Sequence, residues 1–217
     1  MHNRALGKLL IWFGVMCFVL AVGLAGYNIW DTERASETVE KTVGEIIKAL
    51  PETVIPAERF SSENLPDLEL ENPEMEVPFY VLNPEIEMLE EVIDGVAYIG
   101  ILEIPALELN LPVISRWSTA NGRIAPCRYA GSVYLDDFVV CAHNYSSHFG
   151  LLSSLSLGEM VLFTDMEGNQ FTYRIQEIEV LDGTAIEQMC TGDWDLTLFT
   201  CTIGGASRVT VRCEKDI

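Results

Sequence analysis

"LTLFTCTIGGASRVTVRCE", Leu196 to Glu214, is the stretch that decides the fold. Two runs rich in Thr, Val, Leu and Phe flank Gly204-Gly205, the pattern of two strands joined by a tight hairpin whose turn requires positive φ. With the two glycines as the loop, Ile203 faces Ala206, Thr202 faces Ser207 and Cys201 faces Arg208. Directly opposed antiparallel residues share a face, with Cβ atoms about 4.5–5.5 Å apart. The sequence therefore sets a thiol beside a guanidinium. A neighbouring cation favours the thiolate, which is the form that attacks carbonyls. The same cation is also placed to face the oxyanion that such an attack creates. The plain alternative is a structural cysteine beside a surface arginine.

Upstream, the runs "AYIGILEI", "NLPVIS", "FVVCAH", "EMVLFTD" and "QFTYRIQEIEVLD" read as further strands, and "HFGLLSSL" as a short helix. Seven or eight strands in about 120 residues predict an all-β, closed or nearly closed domain over 97–217. Within it are only two histidines, His143 and His148. His143 ends the run "DDFVVCAHN", where a strand turns into the short helix, so its imidazole is presented at a barrel rim. A cysteine nucleophile needs such a partner to protonate a leaving amine. His148 reads as a helix surface residue without a role.

The rest of the chain supplies context. Leu9 to Ile29 holds 21 residues without a charge, enough to cross a bilayer as a helix. Ala21-x-Gly23 is a weak cleavage site, so an uncleaved anchor is expected over 1–30. Arg4 and Lys8 precede the span and Asp31 and Glu33 follow it, which places the N-terminus in the cytoplasm and the remainder outside. Residues 31–96 carry 4 basic against 18 acidic side chains. Ala35, Val39, Val43, Ile46, Ile47 and Leu50 recur at helical spacing between Asp31, a candidate N-cap, and Pro51, which predicts an amphipathic stalk helix. Pro51 to Pro84, with six prolines and many glutamates, reads as an extended linker. A net charge of −20 excludes a nucleic-acid partner, since nothing here neutralises a phosphate backbone. Of six cysteines, Cys17 lies in the apolar run, leaving five in the exported part and at least one free thiol; whether the others pair is open.

Thr197-Leu198-Phe199-Thr200-Cys201 fits the Thr-Leu-x-Thr-Cys motif of sortases, the membrane-anchored cysteine transpeptidases of mainly Gram-positive bacteria. The chain also resembles them in a His ending an upstream strand, an Arg on the strand after the Cys, and the opening "YIGILEIPALELNLPVI". The resemblance implies a closed eight-stranded β-barrel with short helices, with Cys201 as nucleophile, His143 as general acid and base, and Arg208 as oxyanion and substrate clamp. It implies that the enzyme cleaves a sorting signal of the Leu-Pro-x-Thr-Gly type after Thr, forms a thioacyl-enzyme, and transfers the surface protein to an amine of a peptidoglycan precursor or another protein. It implies no cofactor and no metal for the reaction, and a place for Thr200 in hydrogen-bonding the peptide. "GTAIEQMCTGDWD", Gly183 to Asp195, occupies the position of the family's substrate-side loop. The His-Asn pair at 143–144 is similar to class B, and the short Cys-to-Arg spacing to class D. Ala142 departs from the glycine many sortases carry before the His.

Three alternatives remain on the sequence. Arg212 shares the face of Arg208 and is the rival clamp; it pairs with residue 197, four positions from the thiol, so Arg212→Ala is expected to be mild. A metal site from Cys141, His143, Cys201 and Cys213 is conceivable, although structural zinc sites usually show two close ligand pairs. The third is a non-catalytic, membrane-anchored interaction domain. A papain-like protease is excluded, because its Cys precedes its His and starts a helix, whereas here the His comes first and the Cys lies on a strand.

Overall fold

The computed structural model describes residues 2–51 and 78–216. Most of the expected Pro/Glu-rich linker therefore lies outside the described residues. The element order is α1 (His2–Ala49), α2 (Phe79–Leu82), β1 (Glu91–Ile93), β2 (Val96–Ile104), β3 (Leu109–Ile114), β4 (Cys127–Ala130), β5 (Phe138–Ala142), β6 (Met160–Asp165), β7 (Gln170–Asp182), α3 (Ile186–Cys190), β8 (Leu196–Cys201) and β9 (Ser207–Lys215). The strands hydrogen-bond in the order β1-β2-β3-β4-β5-β8-β9-β7-β6, and β2 also pairs with β6. That last pairing closes a ring of eight strands and leaves β1 as a short hairpin arm outside it. Closure removes the open edges that a sheet would otherwise expose.

All neighbouring pairs are antiparallel except β3–β4 and β5–β8. The exceptions matter, because β5 and β8 run side by side in one direction and end at the same rim. Alternation divides their residues between two faces. Phe138 and Val140 of β5, Leu196 and Leu198 of β8, and Val211 and Cys213 of β9 are fully buried in the barrel core. Val139 and Cys141 point the other way, with Thr197, Phe199 and Cys201 of β8 and Arg208, Thr210 and Arg212 of β9. This outer face is also largely covered, with Thr210 at 0% and Arg212 at 3% exposure.

The hairpin keeps the expected register: Cys201 pairs with Arg208 and Thr197 with Arg212. Its loop is longer than two residues. The Gly205 N–H donates to the Thr202 carbonyl at 2.8 Å and the Thr202 N–H to the Ser207 carbonyl at 2.9 Å, so residues 203–206 form the loop. Growth by one residue on each side leaves the pairing unchanged. Gly204 (φ 88°) and Gly205 (φ 75°) supply the left-handed backbone the turn needs. The run 148–155 is not a helix; only Leu152–Ser154 closes, as a single 3-10 turn. The two strands the sequence did not reveal, β1 and β4, are three and four residues long.

The apolar run and the amphipathic segment form one N-terminal helix. α1 is continuous from His2 to Ala49, so no new helix starts at Asp31. Residues 11–27 are helical and exposed. Among the described residues no helix is long and apolar enough to cross a membrane; the side chains at 9, 10, 28 and 29, within the expected span, lie outside the described residues. Further along, Ala35, Val39, Val43 and Ile46 are buried, and the last three join the barrel's core cluster. Lys41 Nζ reaches Asp94 Oδ2 at 2.8 Å, between α1 and the β1–β2 turn. The expected amphipathic stalk helix packs on the barrel, where its apolar stripe finds a partner. Each of Val39, Val43 and Ile46 contributes about 2 kcal/mol by leaving water. A chain starting at residue 31 is expected to unfold at the same denaturant concentration as the full protein, whereas Ile46→Ala in it should lose about 3 kcal/mol, measured by urea unfolding. Equal stability of the Ile46→Ala variant would mean that the helix does not pack in solution.

Candidate active site

Cys201 is the last residue of β8, and His143 follows the last residue of β5. The parallel register ends at Ala142 opposite Thr200, so His143 and Cys201 each stand one position beyond a paired couple. Neighbouring strands lie about 4.8 Å apart. Cys201 in turn faces Arg208 on β9. Three adjacent strand ends therefore carry imidazole, thiol and guanidinium in a row across one rim.

Thr200 ties the row together from beneath. It is 3% exposed and its Oγ1 donates to the Ala142 carbonyl at 2.8 Å. Its side chain points to the inner face, so the expected bond to a bound peptide is corrected: the hydroxyl fastens the His-bearing strand to the Cys-bearing one. Such a bond is worth about 1 kcal/mol.

His143 is held on its other side by the loop that follows. Its carbonyl accepts from the Phe149 N–H at 3.1 Å, and the Tyr145 carbonyl accepts from the His148 and Gly150 N–H groups. The Tyr145 ring lies 5.2 Å from the His143 ring and 5.4 Å from the His148 ring. Above it, a Cβ placed on Gly122 would stand 3.8 Å from His143 Nε2 and 3.7 Å from Trp117 Nε1. The β3–β4 connection thus forms a wall against the imidazole. Trp117 continues edge-on to Tyr129 at 5.9 Å, and Tyr129 edge-on to Phe199 at 5.1 Å. This aromatic ladder floors the face beside Cys201. The sequence reading missed Trp117, Gly122 and Tyr129; only Phe199 had a signal, as the variable position of the Thr-Leu-x-Thr-Cys run.

Arg208 is half-buried, and its Nη1 donates to the Gly205 and Ser207 carbonyls at 2.9 and 3.0 Å. The guanidinium packs over Gly183, where a Cβ would come within 3.1 Å of Nη1 and 2.8 Å of the Ala206 carbonyl oxygen. A side chain at 183 would displace it. Burial, helped by the nearby Cys190 and Cys141 thiols, pushes the Tyr129 phenol up.

Arg212 is no rival clamp. Its Nε donates to Glu179 Oε1 at 2.9 Å, Nη1 to Thr197 Oγ1 at 3.0 Å and the Met189 carbonyl at 3.2 Å, and Nη2 to the Gln188 carbonyl at 2.6 Å. It fixes α3 and the 183–195 loop over the outer face. Its loss, expected to be mild for activity, should be costly for stability, since truncation would strand a carboxylate and two carbonyls.

The other thiols are chemically quieter. Burial pushes Cys127 and Cys213 up to about 12 and also raises Cys141 and Cys190. None of the six cysteines is bridged. The four-ligand metal reading fails on geometry, because Cys213 faces the core while Cys141 and Cys201 share the outer face.

His148 is corrected as well: it is fully buried, and neither ring nitrogen has a hydrogen-bond partner. Burial, with some repulsion from His143, pushes its pKa down to about 4.

The Sortase domain family model matches residues 102–216, more than half of the chain, and the chain belongs to the sortase family, a family of cysteine transpeptidases. Its fold is similar to that of sortase C1 from Streptococcus agalactiae (22% identity over 58% of this chain and 71% of that one, TM-score 0.51). It is also similar to that of sortase A from Corynebacterium diphtheriae (19%, 56% and 62%, 0.50). The sortase C1 of GBS Pilus Island 1 matches at 20% identity over 55% of this chain and 64% of that one, with a TM-score of 0.49. The chain thus spans somewhat less than two thirds of the last two. No curated protein matches the sequence.

Two outcomes follow from the site. Arg212→Ala should lower the unfolding free energy by about 3 kcal/mol, while Arg208→Ala should change it by less than about 0.5 kcal/mol; urea titration of both variants decides, and equal losses would refute the division of roles. For His148, the unfolded chain binds a proton between about pH 4 and pH 6.5 that the folded chain refuses, so stability falls as pH drops through that window, by up to about 3 kcal/mol. His148→Leu should remove that component of the acid sensitivity, read as the difference between the two proteins' stability profiles against pH.

Proposed function

We propose that this chain is a membrane-anchored sortase that cleaves a Leu-Pro-x-Thr-Gly-type signal after Thr and passes the surface protein to an amine of a peptidoglycan precursor or of another protein. The observation that carries the proposal is the row of His143, Cys201 and Arg208 at three neighbouring strand ends. In the first half-reaction the Cys201 thiolate adds to the Thr carbonyl. The C–N bond then breaks, and the imidazolium of His143 gives its proton to the departing amine. The oxyanion of the addition step is met by Arg208. Its Nη1 is already anchored to the hairpin, which orients the planar fork before substrate arrives. In the second half-reaction His143 takes a proton from the incoming amine, which displaces the thiolate. The protein leaves joined through a new amide bond.

The aromatic ladder from Trp117 to Phe199 offers an apolar floor for the signal's Leu and Pro, and the α3 loop pinned by Arg212 supplies the opposite side. Anchoring is supported by the uncharged run Leu9–Ile29 and by the basic residues ahead of it.

Incubation with a signal peptide alone should leave an adduct on Cys201 with the mass of the peptide's N-terminal fragment through Thr, and an added amine should discharge it to a ligated product. Cys201→Ala should give no adduct, and His143→Ala should suppress both halves. Arg208→Lys should lose nearly as much activity as Arg208→Ala. Mass spectrometry reads all of these, and turnover that survives Cys201→Ala, or an adduct elsewhere, overturns the assignment.

A further inference from the structure

Where α1 leaves its apolar run and meets the barrel, a cavity of about 450 Å³ opens between the two. Tyr27, Trp30 and Arg34 line it from the helix, and Asp94 and Arg123 from the barrel. Asp94 is neutralised by Lys41 at 2.8 Å. Arg34 and Arg123 make no ion pair among the described residues, in a chain with 33 acidic side chains against 13 basic ones. The exposed Glu33, Glu37 and Glu40 are not among its lining residues.

We propose that this cavity holds the phosphodiester of an anionic phospholipid, gripped by Arg34 and Arg123; the proposal rests on the anchoring reading given above. The depth fits. If the hydrocarbon edge lies at Ile29, the five residues to Arg34 rise about 7.5 Å, and the headgroup layer on each face of a bilayer is about 5–8 Å thick. Arg34 then stands at the level of the phosphates. Tyr27 and Trp30 are 59% and 54% exposed with ring centroids 6.1 Å apart. Amphipathic rings of this kind collect at the boundary just below the phosphates. The Arg34 guanidinium lies over the Trp30 ring at 5.6 Å, so its face is occupied and its edge of N–H donors remains for an anion. Arg123 comes from the barrel side, at the end of the 3-10 turn Asn121–Arg123. A lipid held by both would dock the barrel on the membrane surface. It would also bear on catalysis, since Gly122, beside Arg123, forms part of the wall against His143.

The test uses the full chain in mild detergent, with phosphatidylglycerol or phosphatidylcholine added, and counts retained lipids by native mass spectrometry. A basic side chain near an anionic headgroup is worth about fivefold in affinity, so wild-type protein, with two, should prefer phosphatidylglycerol by about twenty-five-fold. Arg34→Gln and Arg123→Gln should each cut that preference to about fivefold, and the double variant should abolish it, while Arg116→Gln, outside the cavity, should leave it intact. Equal retention of both lipids, or a preference that survives in the double variant, overturns the site. So does full displacement of the lipid by inorganic phosphate, which would mark a site for the free anion. Sedimentation with vesicles separates the two readings: a chain that binds neither lipid's vesicles defeats the anchoring and the site together, whereas one that inserts equally in both and shows no preference defeats the site alone.

Discussion

The parallel pairing of β5 with β8 is the constraint on which the candidate site depends. Antiparallel neighbours bring the end of one strand to the start of the next, so two strand ends meet at one rim only when neighbours run in the same direction. Here Ala142 and Thr200 close that pairing, and the Thr200 hydroxyl bonds across it to the Ala142 carbonyl. His143 and Cys201 follow from the two chains at that point. The antiparallel return of β9 then brings Arg208 to the third position. A slip of one residue between β5 and β8 would move the imidazole to the opposite face, because side chains alternate. The buried Phe138, Val140, Leu196 and Leu198 resist such a slip, since each would exchange the core for the outer face.

The outer face has its own organisation. A solvated barrel face would carry polar residues and bind nothing, but here Val139, Cys141, Thr197, Phe199 and Thr210 are nearly as buried as the core. Tyr129 packs edge-on against Phe199, and α3 lies over Thr197, where Arg212 bonds the Gln188 and Met189 carbonyls. Five donors in a planar fork suit it to this place, because one side chain can satisfy a carboxylate, a hydroxyl and two carbonyls at once. Burial keeps water from the strand surface at Thr197, Phe199 and Thr210. A guanidinium close to a drier surface acts on charge more strongly than one in bulk solvent. Arg212 and Arg208, four residues apart on one strand face, thus differ in surroundings: Arg212 is buried in bonds to α3 and Glu179, whereas Arg208 stands half-buried opposite Cys201.

Legibility in the sequence followed locality. The β8–β9 register could be read because two glycines centre the hairpin and lengthening the loop symmetrically does not change who faces whom. The motif around Cys201 and the strand-terminal His143 could be read for the same reason. The pairing of β5 with β8 could not, since it joins residues 58 positions apart through no local signal. Short strands such as β4 escaped because four residues show little alternation. In the sequence His148 reads as a surface residue because Ser146, Ser147 and Gly150 around it are polar or small. Its burial arises from the way Phe149 and Gly150 fold the loop back on His143 and Tyr145. Arg212 looked like a second clamp because the face of a strand is legible, while what packs on that face is not.

The helix shows the converse. The spacing of Ala35, Val39, Val43 and Ile46 announced a buried stripe, but spacing does not name the surface that receives it. The barrel receives it, and this restricts the geometry of the whole chain. A flexible stalk would let the catalytic rim sample many heights and tilts above a membrane. A continuous helix whose C-terminal turns are packed into the core cluster removes most of that freedom. The rim that carries Cys201 then stands at a fixed orientation to the axis of α1. Any compliance that remains at the rim has to come from loops such as 183–195, which is bonded at Gly183, at α3 and at Asp195.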